Sequence, residues 1–216
     1  MTQTVAILTG DLIGSTAAPP AAVEASMAII RGCAAQIGPR TDFTRYRGDG
    51  WQIRLLQPAD FLWASLLILS RLRADDSTLG SRIAIGIGEE YPTEARDLST
   101  AMGPAFTASG HALDAMPQGR LLAMAGDGVD RFRQLALTVT SELVARWSRG
   151  QAEAIALKLD PATPADERLS NEAIARQLGI TRQAVDARLK AADYPLLDET
   201  MAAFFAAYTP AEARHG

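Results

Sequence analysis

Short apolar runs that end in turn residues alternate with amphipathic stretches through the first half of the chain. Residues 4–11 are apolar and close on Gly10-Asp11, which predicts a buried strand. Pro19-Pro20 then punctuates, and Pro20 or Ala21 opens a helix expected to reach about Ile37, where Gly38-Pro39 ends it. Residues 42–47 and 51–56 predict two strands around the Gly48-Asp49-Gly50 turn, a hairpin signal. Pro58 and Asp60 start a second helix to about Ala74. From Ser81 to Gly88 the chain alternates, with Ile83, Ile85 and Ile87 on one face, as a strand does. Residues 89–103 are polar and irregular. A helix is expected over 104–115, and Pro117-Gln118-Gly119 turns into a strand over 120–125.

From about Arg131 the periodicity is helical throughout. Residues 133–159 read as one helical stretch, with Trp147 and Gln151 assigned to core packing, and 160–168, with Pro161 and Pro164, as a linker. The segment from Pro195 to Tyr208 is apolar at helical spacing and reads as core, with a dimer seam as second choice. The order β-α-β-β-α-β-α-β predicts an α+β fold: a ferredoxin-like βαββαβ core with an added helix and strand, followed by an all-α part. The expected division is residues 1–130 and 131–216.

Composition narrows the class. The 216 residues are 48% apolar with mean hydropathy near zero, a globular composition. A net charge of −4 argues against a protein that coats nucleic acid or anionic membrane over its whole surface, and permits a local basic face. The single Cys33 forbids an internal disulfide and fits a reducing compartment. The opening residues lack a basic flank, so no signal peptide is expected, and the run from Phe61 to Leu69 is too short to span a membrane. A cytoplasmic protein is expected.

Two aspartates carry the candidate chemistry. Asp11 at a strand end and Asp49 in a hairpin turn meet if their strands are neighbours. A hard cation such as Mg²⁺ takes one or two carboxylates together with substrate phosphates. Leu12, Ile13, Gly14, Ser15 and Thr16 follow Asp11 before a helix, where backbone N–H groups can cradle phosphate. A Gly-Asp-Gly turn is more often only a turn, and Gly126-Asp127-Gly128, with no strand after it, is read so.

Four segments in order carry a resemblance. Asp11-Leu12-Ile13-Gly14-Ser15-Thr16 is similar to the first metal motif of class III nucleotidyl cyclases. Arg47-Gly48-Asp49-Gly50-Trp51 resembles their second metal hairpin, and the run from Arg82 to Glu89 their Arg-Ile-Gly-Ile strand. Gly103-Pro104-Ala105-Phe106-Thr107 sits where they have Gly-x-x-Val-Asn. With its C-terminal part the chain also resembles the SatD-like family, a small cyclase-type domain followed by a helix-turn-helix. The resemblance implies Mg²⁺ or Mn²⁺ on Asp11 and Asp49, with a bound nucleotide. It also implies a homodimer in which an Asn and an Arg come from the partner. This chain departs there: the Asn position is Thr107 and the Arg position His111, while the base-reading Lys and Asp are Arg45 and Thr100. Loss of one transition-state donor typically costs roughly 100- to 1000-fold in rate, so efficient cyclisation is not expected. Nucleotide binding remains expected, with Arg45 contacting phosphate or purine.

Residues 170–190 form a bihelical pattern. Ser170 and Thr181 can cap two helices, Gly179 supplies the left-handed corner, and Ile174, Ala175, Leu178, Val185 and Leu189 pack inward. Residues 176–190 hold four basic side chains against one acidic, a net of +3. Arg182 and Gln183 stand where a recognition helix reads base edges, with Asp186 beside them. Arg188 and Lys190 stand where phosphate contacts fall. The competing reading is a helical hairpin for protein contacts.

These features predict a nucleotide- or cyclic-nucleotide-responsive regulator that binds double-stranded DNA as a homodimer, with no membrane partner. The rival from another class is a metal-dependent nucleotidyl cyclase or triphosphatase acting on ATP or GTP. A third reading is an adaptor in which both sites are vestigial.

Overall fold

A computed structural model of the chain describes residues 3–38, 41–46, 48–91, 97–161 and 169–209. The sheet is built from β1 (Gln3–Leu12), β2 (Asp42–Tyr46), β3 (Gly50–Leu55), β4 (Ser81–Glu90) and β5 (Leu122–Gly126), in the order β2-β3-β1-β4-β5. All neighbours are antiparallel except β4 and β5. Strand β1 lies at the centre, which explains its unbroken apolar run: it is covered on both faces.

Alternation sorts the two faces. Ala6, Leu8 and Leu12 join Ile83, Ile85 and Ile87 against α1 (Pro20–Ile37) and α2 (Phe61–Ala74). Val5 and Ile7 pack on the opposite side against Ala105 of α3 (Pro104–Asp114). Gly86 permits this: a Cβ there would meet the Ala105 carbonyl and lie 2.6 Å from the Ser109 amide nitrogen. Helix and strand backbones touch directly, and Ser109 Oγ meets Thr9 Oγ at 2.7 Å in the same buried layer.

Strand β5 starts later than the sequence suggests. Arg120 and Leu121 turn to the next helix, α4 (Arg131–Ala145), where Arg120 donates to Thr138 Oγ1 at 2.7 Å and Leu121 N to Ser141 Oγ at 2.9 Å. The helical stretch expected over 133–159 is two helices, α4 and α5 (Arg149–Lys158). Ser148 begins the second with a capping box: its hydroxyl accepts from Gln151 N and its amide donates to Gln151 Oε1 at 2.7 Å. Gln151 is therefore a cap residue. Trp147 is core, with its indole donating to Ala192 O at 3.3 Å.

Helices α6 (Asn171–Leu178), α7 (Arg182–Ala191) and α8 (Tyr194–Tyr208) follow. Most of the expected linker, residues 162–168, lies outside the described residues. One buried apolar cluster runs from Ile85 and Met124 through Leu137, Trp147 and Ile155 to Val185 and Phe204. The Phe61 ring meets Phe204 edge-on at 5.3 Å, and Trp63 Nε1 donates to Leu159 O at 3.2 Å. Helix α2 is thus the shared wall between the sheet and the last helices. Among the described residues no helix is long and apolar enough to cross a membrane.

Gly86→Ala is expected to destabilise the fold by about 2 kcal/mol or more, because backbone rather than a movable side-chain tip opposes the added methyl. Urea denaturation against wild type measures it; an unchanged midpoint would refute the close approach.

Candidate functional site

Asp11 and Asp49 come to one corner of the sheet. Asp11 is paired in register with Gly50, the residue after Asp49, and Leu12 N donates to Asp49 O at 3.2 Å. The turn that follows β1 passes beside them. Gly14 takes the left-handed conformation (φ 76°) that lets the chain leave the strand, and Ser15 donates its hydroxyl to Asp49 Oδ2. Of the five backbone amides expected to cradle phosphate, two are engaged: Leu12 N by Asp49 O and Ile13 N by Gly80 O at 2.8 Å. The amides of Gly14, Ser15 and Thr16 meet no carbonyl among the described residues.

Arg82 is the partner of Asp11 that local sequence reasoning did not assign. It stands directly opposite Asp11 on β4. Its guanidinium forks onto the carboxylate, Nε to Oδ1 at 2.9 Å and Nη2 to Oδ2. Both side chains are 29% exposed. The hydrogen bonds to Asp11 hold the Arg82 pKa above its ordinary value. Only the pairing of β1 with β4, a long-range fact, exposes this partner.

Among the described residues no group of three or more His, Cys, Asp or Glu side chains could hold a metal. Asp11 and Asp49 alone suit a cation that arrives with phosphate oxygens, as Mg²⁺ commonly does, and not one caged by protein. Each carboxylate is already compensated, Asp11 by Arg82 and Asp49 by Ser15.

The other expected contacts fall elsewhere. Arg45 pairs with Trp51 in register, and so stands on the sheet face opposite Asp11. Its Nε donates to Gly48 O at 2.6 Å and its Nη1 to Glu24 of α1 at 2.8 Å, so it braces the hairpin against α1. Arg47 lies outside the described residues. Thr107 and His111 occupy the exposed outer side of α3, because Ala105, Ser109 and Leu113 take the inner side. Within one chain they do not join the aspartates. They line an open groove of about 730 Å³ with Tyr91, Met102 and Phe106.

The bihelical segment has the expected local form. Ser170 Oγ accepts from Ala173 N and Thr181 Oγ1 from Ala184 N, and Gly179 is left-handed (φ 66°). Ile174 and Val185 are fully buried between the helices and α5. Arg182, Gln183, Asp186 and Lys190 are exposed. Arg182 lies 3.0 Å from Glu172 and 3.7 Å from Asp186, and Asn171 Nδ2 donates to Asp186 at 2.5 Å. Arg188, expected to contact phosphate, is engaged within the chain. Its guanidinium turns inward to Glu153 of α5 at 2.9 Å and Gly150 O at 3.3 Å, since α7 packs on α5.

Backbone comparison finds likeness to nucleotidyl cyclases. A bacterial light-regulated adenylyl cyclase is 19% identical over 57% of this chain and 43% of its own, with a TM-score of 0.45. The guanylyl cyclase Cya2 is 17% identical over 58% of this chain and 76% of its own, with a TM-score of 0.40. This chain spans less than half the length of the first. No family model and no curated protein matches the sequence.

A double-mutant cycle on Asp11→Ala and Arg82→Ala is expected to give a coupling of about 1 kcal/mol that shrinks as salt is added, because the pair is partly exposed. Thermal or urea unfolding of the four proteins reads it; a coupling that ignores salt would contradict the fork.

Proposed function

We propose that this chain is a nucleotide- or cyclic-nucleotide-responsive transcriptional regulator. On this reading residues 1–130 form a ferredoxin-like, class III cyclase-like sensor, degenerate as an enzyme. Residues 131–216 form a helix-turn-helix unit that binds double-stranded DNA in a cytoplasmic homodimer. The observation that carries the sensor is the Asp11–Arg82 fork beside the Gly14–Thr16 turn, with Asp49 joined to the same strand end by its backbone contact with Leu12 and the hydroxyl of Ser15. A nucleotide with Mg²⁺ or Mn²⁺ brings both charges this corner can exchange. Asp11 and Asp49 would hold the cation, which would supply charge compensation to the phosphate, and Arg82 once released from Asp11 would offer its guanidinium fork to the phosphate.

The corner reaches the helical part through short steps. Ser81 Oγ donates to the Asp11 carbonyl at 2.7 Å. Ser81, Gly80 and Ile13 line a cavity of about 580 Å³ whose other wall is Val144, Trp147 and Arg149. Arg149 pairs with Asp76 below α2 and with Glu153, the residue that holds Arg188 of α7. A ligand that moves the corner therefore has a route to α7 around this cavity and through these ion pairs, and linkage makes DNA affinity depend on it. Arg182, Gln183 and Lys190 supply the DNA-facing side chains of that helix.

The enzymatic alternative keeps one observation in its favour, the shared corner of the two aspartates. It requires a second copy to bring Thr107 and His111 over them, and a hydroxyl and an imidazole replace the amide and guanidinium that stabilise developing charge.

A thermal-shift screen of ATP, GTP and their cyclic forms with Mg²⁺ or Mn²⁺ is expected to give a nucleotide-dependent rise in Tm that disappears in Asp11→Ala, without appreciable cyclic product. Turnover to cyclic nucleotide or inorganic phosphate establishes the enzyme instead. A shift indifferent to Asp11→Ala removes the sensor from this corner.

For the DNA part, Arg182→Ala or Gln183→Ala is expected to weaken binding of a selected duplex about tenfold or more. Arg188→Ala is expected to lower Tm first, because it leaves Glu153 with one cation fewer. Fluorescence anisotropy and melting curves separate the two; equal effects on affinity for all three would refute the assignment.

A further inference from the structure

Helix α4 is apolar on the side it does not bury. Phe132, Leu135 and Val139 follow at helical spacing and are 83%, 54% and 50% exposed. Phe132 and Leu196 of α8, itself 50% exposed, stand on the two walls of a groove of about 590 Å³ floored by Ala136, Ala203 and Phe204. The four exposed side chains offer roughly 400 Å² of apolar surface, close to the apolar share of one partner's side in a standard interface. A lone exposed leucine needs no explanation; a contiguous stripe headed by a bare phenylalanine does.

The patch is self-complementary. It holds projecting side chains and a recess side by side, the condition for an isologous contact in which each copy fills the other. Asp130, Arg133 and Glu199 line the groove, so its rim carries both signs of charge. The sequence that follows α8, residues 210–216, contains no large apolar side chain, so it is poor filling for the recess. A nucleic acid has no use for an apolar groove, and both signs of charge at its rim differ from the basic belt that holds a helix on an anionic membrane.

We propose that the α4 stripe and the α4–α8 groove are the face on which two copies of this chain join about a twofold axis, with Phe132 of each entering the groove of the other. Helix α8 follows α7 directly through the left-handed Asp193, so the joint fixes how far apart two α7 helices stand. That consequence rests on the proposed DNA function; the joint does not, and its failure leaves nucleotide binding at Asp11 untouched.

Sedimentation velocity of the full chain tests it. Wild type is expected to dimerise in the micromolar range. Phe132→Glu and Leu135→Glu are expected to raise the dimer dissociation constant at least about 100-fold, since each change is made twice per dimer, with circular dichroism and Tm unchanged because both side chains are exposed. Asp11→Ala is expected to dimerise normally while losing the nucleotide shift. A monomeric wild type at high micromolar concentration overturns the proposal. So does a dimer that survives Phe132→Glu, or one lost instead through Met102→Glu on the outer side of α3. Binding of wild type to anionic vesicles that Phe132→Glu abolishes would assign the patch to lipid and also overturn it.

Discussion

Arg82 closes on Asp11 because β1 and β4 are direct neighbours, and the register sets the two residues face to face. The pairing determines what the corner can accept. A free metal ion finds one carboxylate already neutralised. A free phosphate finds the nearest guanidinium already satisfied, with the carboxylates of Asp11 and Asp114 both acting on it. On the proposed reading, a ligand carrying cation and phosphate together repays both losses at once. The bidentate geometry also explains why the cation is an arginine: its planar fork matches carboxylate and phosphate alike, where a lysine would offer a point charge. On that reading the corner selects for the complex over either component alone, without any group beyond those the strands already place there.

The same compensation recurs through the helical part and gives it rigidity. Arg188 binds Glu153, Glu153 also binds Arg149, and Arg149 reaches Asp76 in the turn between α2 and β4. Arg73 joins the system from α2 by donating to the Trp147 carbonyl at 3.0 Å. These partly exposed pairs are individually weak. Their effect is directional: they orient α7 on α5, and α5 on the turn that leads into Arg82. Beneath them the apolar cluster is continuous from the sheet to α8, so the helices cannot shift as a loose appendage. On the proposed reading a displacement at the strand end would be passed on by packed side chains with few alternative positions.

What the sequence reveals is what neighbouring residues decide. Strand β1, the hairpin turn, the Pro20 start of α1 and the caps Ser170, Gly179 and Thr181 are all local signals, and the structure forms those elements where the signals stand. The Ser148-Gln151 capping box was equally local, but apolar spacing continuous on both sides of Trp147 masked it. The site is different. The partner of Asp11 lies 71 residues away and appears only once strands are paired. The outward aspect of Thr107 and His111 depends on which side of α3 meets β4, a choice made by the space over Gly86. Arg188 counts as a DNA-facing charge while α7 is considered alone, and ceases to be one when α5 supplies Glu153. Arg45 is likewise turned away from Asp11 by one step of strand alternation, too small a difference for a motif to show.

The loss of Arg188 from the DNA side changes how the proposed reader must work. One unit presents Arg182, Lys190 and Arg176, with Glu172 and Asp186 drawing on Arg182. Set on a chain of net charge −4, so small a basic surface releases few counterions and binds any duplex weakly by itself. Affinity then has to come from two units acting on two half-sites. The second contact benefits from the high effective concentration set by the first, but only if the spacing of the two α7 helices matches the duplex. A weak unit read twice makes occupancy steeply sensitive to relative placement, whereas a strongly basic unit would stay bound through small misalignments. On this argument the sparse charge of α7 is a requirement of ligand control: a shift at the Asp11 corner can govern DNA binding because neither half binds well enough alone to ignore it.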